Sequence, residues 1–292
     1  MKPTMPDAQS VQGRKGGKLT DQVQSSPSSG IRWSVVVLLA FIAIVGILTP
    51  KLLWMIEGYR EVIWSMPIDV QYIIHPLFRM VLTLIGWAVI ISMQERSKRA
   101  TMGLCVGWGL GVKAFVLGFA CTLPMLALGL MSEYSGSNRY DIMYKAISPG
   151  VTEEIFYRAL LFGMLVQVAR VPLWPSAIVT GIVFGLAHVD LTPDEGQTII
   201  GQFNLWIMLI ALGGVMYAWI YSASRWNLWV VIALHIGMNL WWGMFDLTSS
   251  PLGEFGATLS RIMCVGLVVL FVFGLRVLEP GRKPTITHDA KT

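Results

Sequence analysis

Long apolar runs separated by short polar connections make up most of this chain, and they predict an all-α, polytopic membrane helix bundle. Eight runs come close to the roughly 20 residues that cross a hydrocarbon core. They lie at about 33–54, 74–93, 109–131, 149–169, 173–190, 198–222, 226–246 and 257–277. The third is the least regular, because Lys113 and Pro124 fall inside it. The mixed segment 55–73 reads as interfacial, and the tract 94–101 as a basic loop. Residues 1–30, rich in Ser, Gly, Gln and Lys, read as a disordered tail. They are too long for a signal n-region, and no small-x-small site follows the first run. With a polar tail at 279–292, this leaves 31–278 as a single transmembrane helical domain without an obvious internal repeat.

Composition agrees with the pattern. The 292 residues are 54% hydrophobic and 13% charged, against about 25% charged for a soluble domain. The 12 tryptophans suit membrane interfaces. The net charge of +5 does not point to nucleic acid, because the cations cluster at the ends of apolar runs. Lys2, Arg14, Lys15, Lys18 and Arg32 precede the first run, and Arg96, Lys98, Arg99, Arg170 and Arg225 fall in alternate connections, with Arg276, Arg282 and Lys283 at the end. The opposite connections hold Asp190, Asp194, Glu195, Asp246 and Glu254. The positive-inside bias therefore predicts both termini in the cytoplasm, as an even number of spans requires. The partner that this composition implies is membrane lipid. Cys105, Cys121 and Cys264 show no metal-ligand spacing or evident disulfide pairing, and they read as small buried residues.

Against this background a few polar residues stand out. Glu153 and Glu154 are adjacent inside an apolar stretch, where a carboxylate costs roughly 2.5–3.5 kcal/mol on insertion scales. Arg158 follows Glu154 at i,i+4 and can pair with it. Glu153 points about 100° away around the helix and is not matched by that arginine. One glutamate then reads as structural and the other as free for chemistry. Phe184 and His188 share a face near the end of the fifth run, and His235 and Asn239 share one in the seventh. With the fourth and fifth runs antiparallel, and the seventh parallel to the fifth, Glu153, His188, His235 and Asn239 fall at one depth. That depth lies in the half of the membrane away from the cytoplasmic loops. Singly, each has a plain structural use: interhelical hydrogen bonding for the histidines and Asn239, ion pairing for Glu154 and Arg158, packing for Phe184 and Tyr157. The same set could line a transporter's proton path.

Peptide hydrolysis would also use such a set. It needs a held and deprotonated water, a stabilised oxyanion and a proton for the leaving amine. Glu153 beside His188 could activate the water. His235 and Asn239 could donate to the oxyanion. Alternatively, Glu153, His188 and His235 could bind zinc as a His2Glu set, although no His-Glu-x-x-His helix is present.

The run Glu153-Glu154-x-x-x-Arg158, with Phe184-x-x-x-His188 and His235-x-x-x-Asn239, resembles the CAAX-protease and bacteriocin-processing (Abi) family of intramembrane proteases, which includes the Ras-converting prenyl proteases. The three motifs occur in order over a catalytic core of roughly residues 110–250; the first 100 residues and the last 40 match only in being membrane-like. The resemblance implies an eight-helix bundle with a conical cavity. It implies that Glu153 and His188 activate water, that His235 and Asn239 form the oxyanion hole, and that Glu154, Arg158 and Phe184 support them. The family's active form is argued both as a metalloprotease and as a metal-independent glutamate protease. The metal-free form with no cofactor is favoured over zinc because the His-Asn pair serves an oxyanion better than it serves zinc, and the expected substrate is a membrane-associated or lipidated peptide. Tyr157 stands where the family commonly has Phe, and Ala159 where it commonly has Gly. The alternatives from other classes are a non-catalytic scaffold or immunity protein of the same fold, and a proton-coupled transporter.

Overall fold

The computed structural model describes residues 30–92, 102–104, 107–191, 198–199, 201 and 205–278. The basic tract 94–101, Cys105, and the tails up to residue 29 and from 279 onward lie outside these residues. The described chain is helical almost throughout. Its helices are α1 (Trp33–Met55), α2 (Glu57–Ser65), α3 (Ile68–Ser92), α4 (Trp108–Ala120), α5 (Leu123–Gly129), α6 (Arg139–Glu153), α7 (Gly163–Gln167), α8 (Leu173–Leu186), α9 (Leu205–Ala223), α10 (Leu228–Met244) and α11 (Gly253–Leu278). A π-helical segment, Glu154–Phe162, joins α6 to α7 without a break. Two short strands, β1 (Glu133–Tyr134) and β2 (Phe245–Asp246), pair antiparallel, with Glu133 opposite Asp246.

Each of the eight expected spans is occupied by helix, and the chain is an integral membrane protein. Trp33–Met55, Trp108–Gly129, Leu205–Ala223 and Gly253–Val272 are long and apolar enough to cross a bilayer. Pro76–Ser92, Leu173–Leu186 and Leu228–Met244 are shorter apolar helices. The remaining span is the continuous stretch from α6 through α7. The differences from expectation are local. The fourth span begins at Arg139 rather than near residue 149, so Glu153 lies deep inside a helix and not near its start. Asn138 sets that earlier start by accepting from the Tyr140 amide at 3.0 Å. The third span breaks at Cys121–Thr122, and Pro124 sits in the first turn of α5, where its missing N–H costs nothing. The interfacial segment contains α2, and α3 starts at Ile68.

Because lipid offers no hydrophobic drive between helices, close packing must hold them together. Gly181 and Gly185 on α8 supply it against α9. A Cβ at Gly181 would lie 2.7 Å from the Ala211 carbonyl oxygen, and one at Gly185 would lie 2.9 Å from the Ala211 Cβ. Gly150 does the same for α6 on α10, where a Cβ would meet Ile236 Cγ1 at 2.5 Å. The second crossing joins the helices of Glu153 and His235, and α8 reaches them through the π segment, where Phe184 packs on Tyr157. The π segment stands at the centre of the bundle, and all nine of its residues are buried. Ile155, Ala159 and Phe162 pack with residues of α4, α5, α9, α10 and α11. Phe156, Tyr157, Leu160 and Leu161 pack with α1, α3 and α8.

Backbone ties fix which helix ends meet. The Arg32 amide donates to the Ala169 carbonyl at 2.9 Å, and the Leu228 amide to Gly103 at 3.2 Å. The strand pair closes the other end, joining the segment before α6 to the end of α10.

Candidate active site

The two adjacent glutamates have separate surroundings. Glu154 has no exposed side-chain surface. Its Oε1 accepts from His235 Nδ1 at 2.6 Å, and its Oε2 lies 3.1 Å from Arg158 Nε. The i,i+4 pair expected from spacing is therefore present, but the approach is off the N–H axis. Neither Arg158 Nε nor Nη1 has a hydrogen-bond partner among the described residues. Aromatic faces surround the guanidinium instead: its carbon lies 4.3 Å from the centre of the Phe184 ring and 5.1 Å from that of Tyr217. Arg158 thus acts as a buried charge partner held between rings.

Glu153 departs from the expectation of a free carboxylate. Its Oε1 accepts from Arg79 Nη1 at 3.0 Å, with side-chain exposures of 15% and 22% for the glutamate and the arginine. Arg79 belongs to α3, in the part of the chain that the motifs do not cover. Glu153 is also within electrostatic reach of His235 and His188.

The histidines are held by what their Nδ1 atoms touch. His188 lies in the turn after α8, and its Nδ1 is 2.8 Å from the Phe184 carbonyl oxygen. A carbonyl only accepts, so Nδ1 carries the proton and Nε2 is left as the free lone pair. The His188 ring also sits edge-on to Phe184, with centroids 4.7 Å apart. His235 directs Nδ1–H at a carboxylate, and it too presents Nε2 outward. Donation through Nε2 as well requires both ring nitrogens to carry a proton. Asn239 stands one turn further along α10, half-buried.

Phe184 touches several parts of this arrangement at once. It is buried, packs edge-on to Tyr157 at 5.0 Å, covers Arg158 and backs His188. Two basic residues were missed by the motif reading. One is Arg79. The other is Lys51 near the end of α1, whose Nζ donates to the Val189 carbonyl beside His188 and is within electrostatic reach of Arg79 and Asp190. An arginine inside the apolar run 74–93 was the available signal.

Among the described residues, no three His, Cys, Asp or Glu side chains group as a metal-ligand set. Cys121 and Cys264 are buried and unpaired with each other, as read from sequence.

Residues 135–241 match the family model described as Rce1-like, type II CAAX prenyl endopeptidase Rce1-like. This match and the helix bundle together support a membrane-embedded peptidase. The matched segment, a little over a third of the chain, is similar to the Rce1-like CAAX prenyl endopeptidases, which the three motifs also resemble. No curated protein and no solved structure matches the chain.

Proposed function

We propose that the protein is an intramembrane endopeptidase that hydrolyses a peptide bond of a membrane-associated protein, with prenylated C-terminal segments as the substrate class suggested by its family. The observation that carries this reading is that Glu153 lies within electrostatic reach of His188 and His235 and that each of the three is held by a defined partner. Glu153 and the His188 Nε2 lone pair hold a water and take its proton as it attacks the carbonyl. His235 in its doubly protonated form, with Nδ1 held by Glu154, donates from Nε2 to the developing oxyanion together with the Asn239 carboxamide. The proton taken by Glu153 then passes to the leaving amine. Glu154, Arg158 and Phe184 position these groups without touching the substrate.

The metal-free form of the reaction is favoured because Arg79 already neutralises Glu153. A carboxylate bonded to a guanidinium is a weaker ligand for a cation.

The test is cleavage of a prenylated CAAX-type peptide by purified protein in lipid, with wild type compared with Glu153→Gln and with and without a chelator. Cleavage that is chelator-resistant and lost in the variant supports the proposal. Chelator-sensitive cleavage restored by zinc would overturn the metal-free part. Equal cleavage by wild type and variant would overturn the assignment of Glu153. If neither protein cleaves, the scaffold or the transporter reading takes its place.

A further inference from the structure

Arg261 is a charge inside α11, a helix long and apolar enough to cross the membrane. Its guanidinium carbon lies 3.7 Å from the centre of the Trp242 ring and 4.7 Å from that of Trp206, so α9, α10 and α11 meet around it. Arg158 is gripped by two rings in the same way, but it also has Glu154, and Arg79 has Glu153. Arg261 forms no ion pair and no hydrogen bond among the described residues. A ring face offsets part of a cation's charge, but the N–H groups of a guanidinium still call for oxygen acceptors. The two indoles beside it carry N–H donors and no acceptor, so the polar groups gathered here are all of one kind. An arginine inside a span is costly without a partner, and it marks a site by default.

The surroundings show where the acceptor comes from. Trp206 is the second residue of α9, and Trp242 lies two residues before the end of α10, at the end that the strand pair closes. Both indoles are exposed, as are Leu205 next to Trp206 and Ile262 and Met263 next to Arg261. In a membrane-spanning chain this apolar face meets lipid. Arg261 lies eight residues into α11 from Gly253, roughly 12 Å at 1.5 Å per residue. From there its stem reaches Trp206 at the start of α9, the level at which tryptophans border the headgroups. We propose that Arg261, with Trp206 and Trp242, binds the phosphate of an anionic phospholipid in the leaflet at the strand-pair end. A phosphodiester supplies the oxygen acceptors that the guanidinium fork fits, and the acyl chains lie along the exposed apolar face of α9 and α11. A lipid of net negative charge is preferred, because a choline headgroup brings a second cation to Arg261 and no described carboxylate offsets it. The site does not depend on what the glutamates do. Seven residues of α10, about 10 Å of helix, separate Trp242 from His235. A lipid held there ties α9 and α10 together at the end opposite to their connecting loop.

The experiment titrates full-length protein, delipidated in mild detergent, with phosphatidylglycerol or with phosphatidylcholine of the same acyl chains. Bound lipid is counted by native mass spectrometry, and the melting temperature is followed in parallel. Wild type is expected to hold one phosphatidylglycerol on the order of 5- to 10-fold more tightly than phosphatidylcholine, the effect of one cation on an anionic headgroup, and to melt at a higher temperature with it. Arg261→Gln should lose that molecule and bind the two lipids alike. Arg139→Gln, which removes an exposed arginine stacked on Tyr140, should retain it. Should Arg261→Gln fail to accumulate, Arg261→Lys decides, because it keeps the charge and loses the fork: the preference should shrink without vanishing. Equal binding of the two lipids by wild type would overturn the proposal, as would a preference that the Arg261 variants leave unchanged or that Arg139→Gln abolishes equally. Inorganic phosphate that raises the melting temperature as much as phosphatidylglycerol does, at ionic strength matched with chloride, would overturn the lipid assignment in favour of a soluble anion.

Discussion

Glu153 and Glu154 are neighbours in sequence, but they belong to two different regions of the molecule. Glu154 faces α8, α9 and α10; it is wholly buried and engaged on both oxygens by Arg158 and His235. Glu153 faces α3, retains some exposure, and is held by a single arm of Arg79. The first environment is closed and the second can accept something more. In a low-dielectric interior, a carboxylate with two fixed charge partners organises what lies around it. One with a single partner at an edge can still exchange that partner for water or substrate. The π-helical segment that begins at Glu154 separates the two regions, in keeping with the frequent placement of such turns at functional sites.

The sharpest way to break this contrast is to neutralise the open side. Glu153→Gln should lower cleavage by about 100- to 10,000-fold, the usual contribution of a general base, while the protein accumulates and melts like wild type. A large fall in melting temperature would show that Glu153 is structural after all. Arg158→Ala attacks the closed side and should do the reverse in emphasis. It removes one of the two charge partners of a fully buried carboxylate, at a cost of about 3–5 kcal/mol, to be read from thermal unfolding in detergent. An unchanged melt would mean that His235 alone can carry the charge of Glu154. Asn239→Ala sits between these extremes, with kcat expected to fall by about 100- to 1000-fold at nearly constant KM and stability. A change confined to KM would argue against its donating to an oxyanion. The smallest effect expected is from Gly181→Ala, which places a Cβ against the Ala211 carbonyl oxygen across the α8–α9 crossing. Overpacking there should cost about 1–3 kcal/mol, with activity falling only as far as His188 is displaced at the end of the same helix.

Much of the bundle could be read from the chain, because lipid forces apolar length on every crossing and the spans announce themselves. The Glu154–Arg158 pair could be read as well, since four residues of helix bring the two together whatever surrounds them. What escaped depends on contacts between distant segments. Arg79 was visible as an anomaly in an apolar run, yet nothing local says that it meets a glutamate 74 residues away. The bond from His235 to Glu154 spans 81 residues and is equally silent in sequence. The π-helical turn was hidden for another reason: all nine of its residues are buried, so no solvent-facing side exists whose periodicity could betray a change of winding. The early start of α6 was masked by Arg139, Asp141 and Lys145, polar residues that continue the helix out of the apolar run.

That turn also locks the length of the chain at its centre. From Glu154 to Phe162 every side chain is buried and the segment runs helix to helix, so no loop is available to take up a gained or lost residue. One residue of helix corresponds to about 100° of rotation. A single insertion or deletion here would swing Phe162 off Tyr221 and Trp226, which it meets at 6.3 Å and 5.8 Å, and turn the whole of α7 with it. Substitutions can be repacked one at a time, but a frame shift at this point would rephase half a span at once, so related chains that keep this architecture should hold the spacing from Glu154 to Gly163 fixed even where their residues differ.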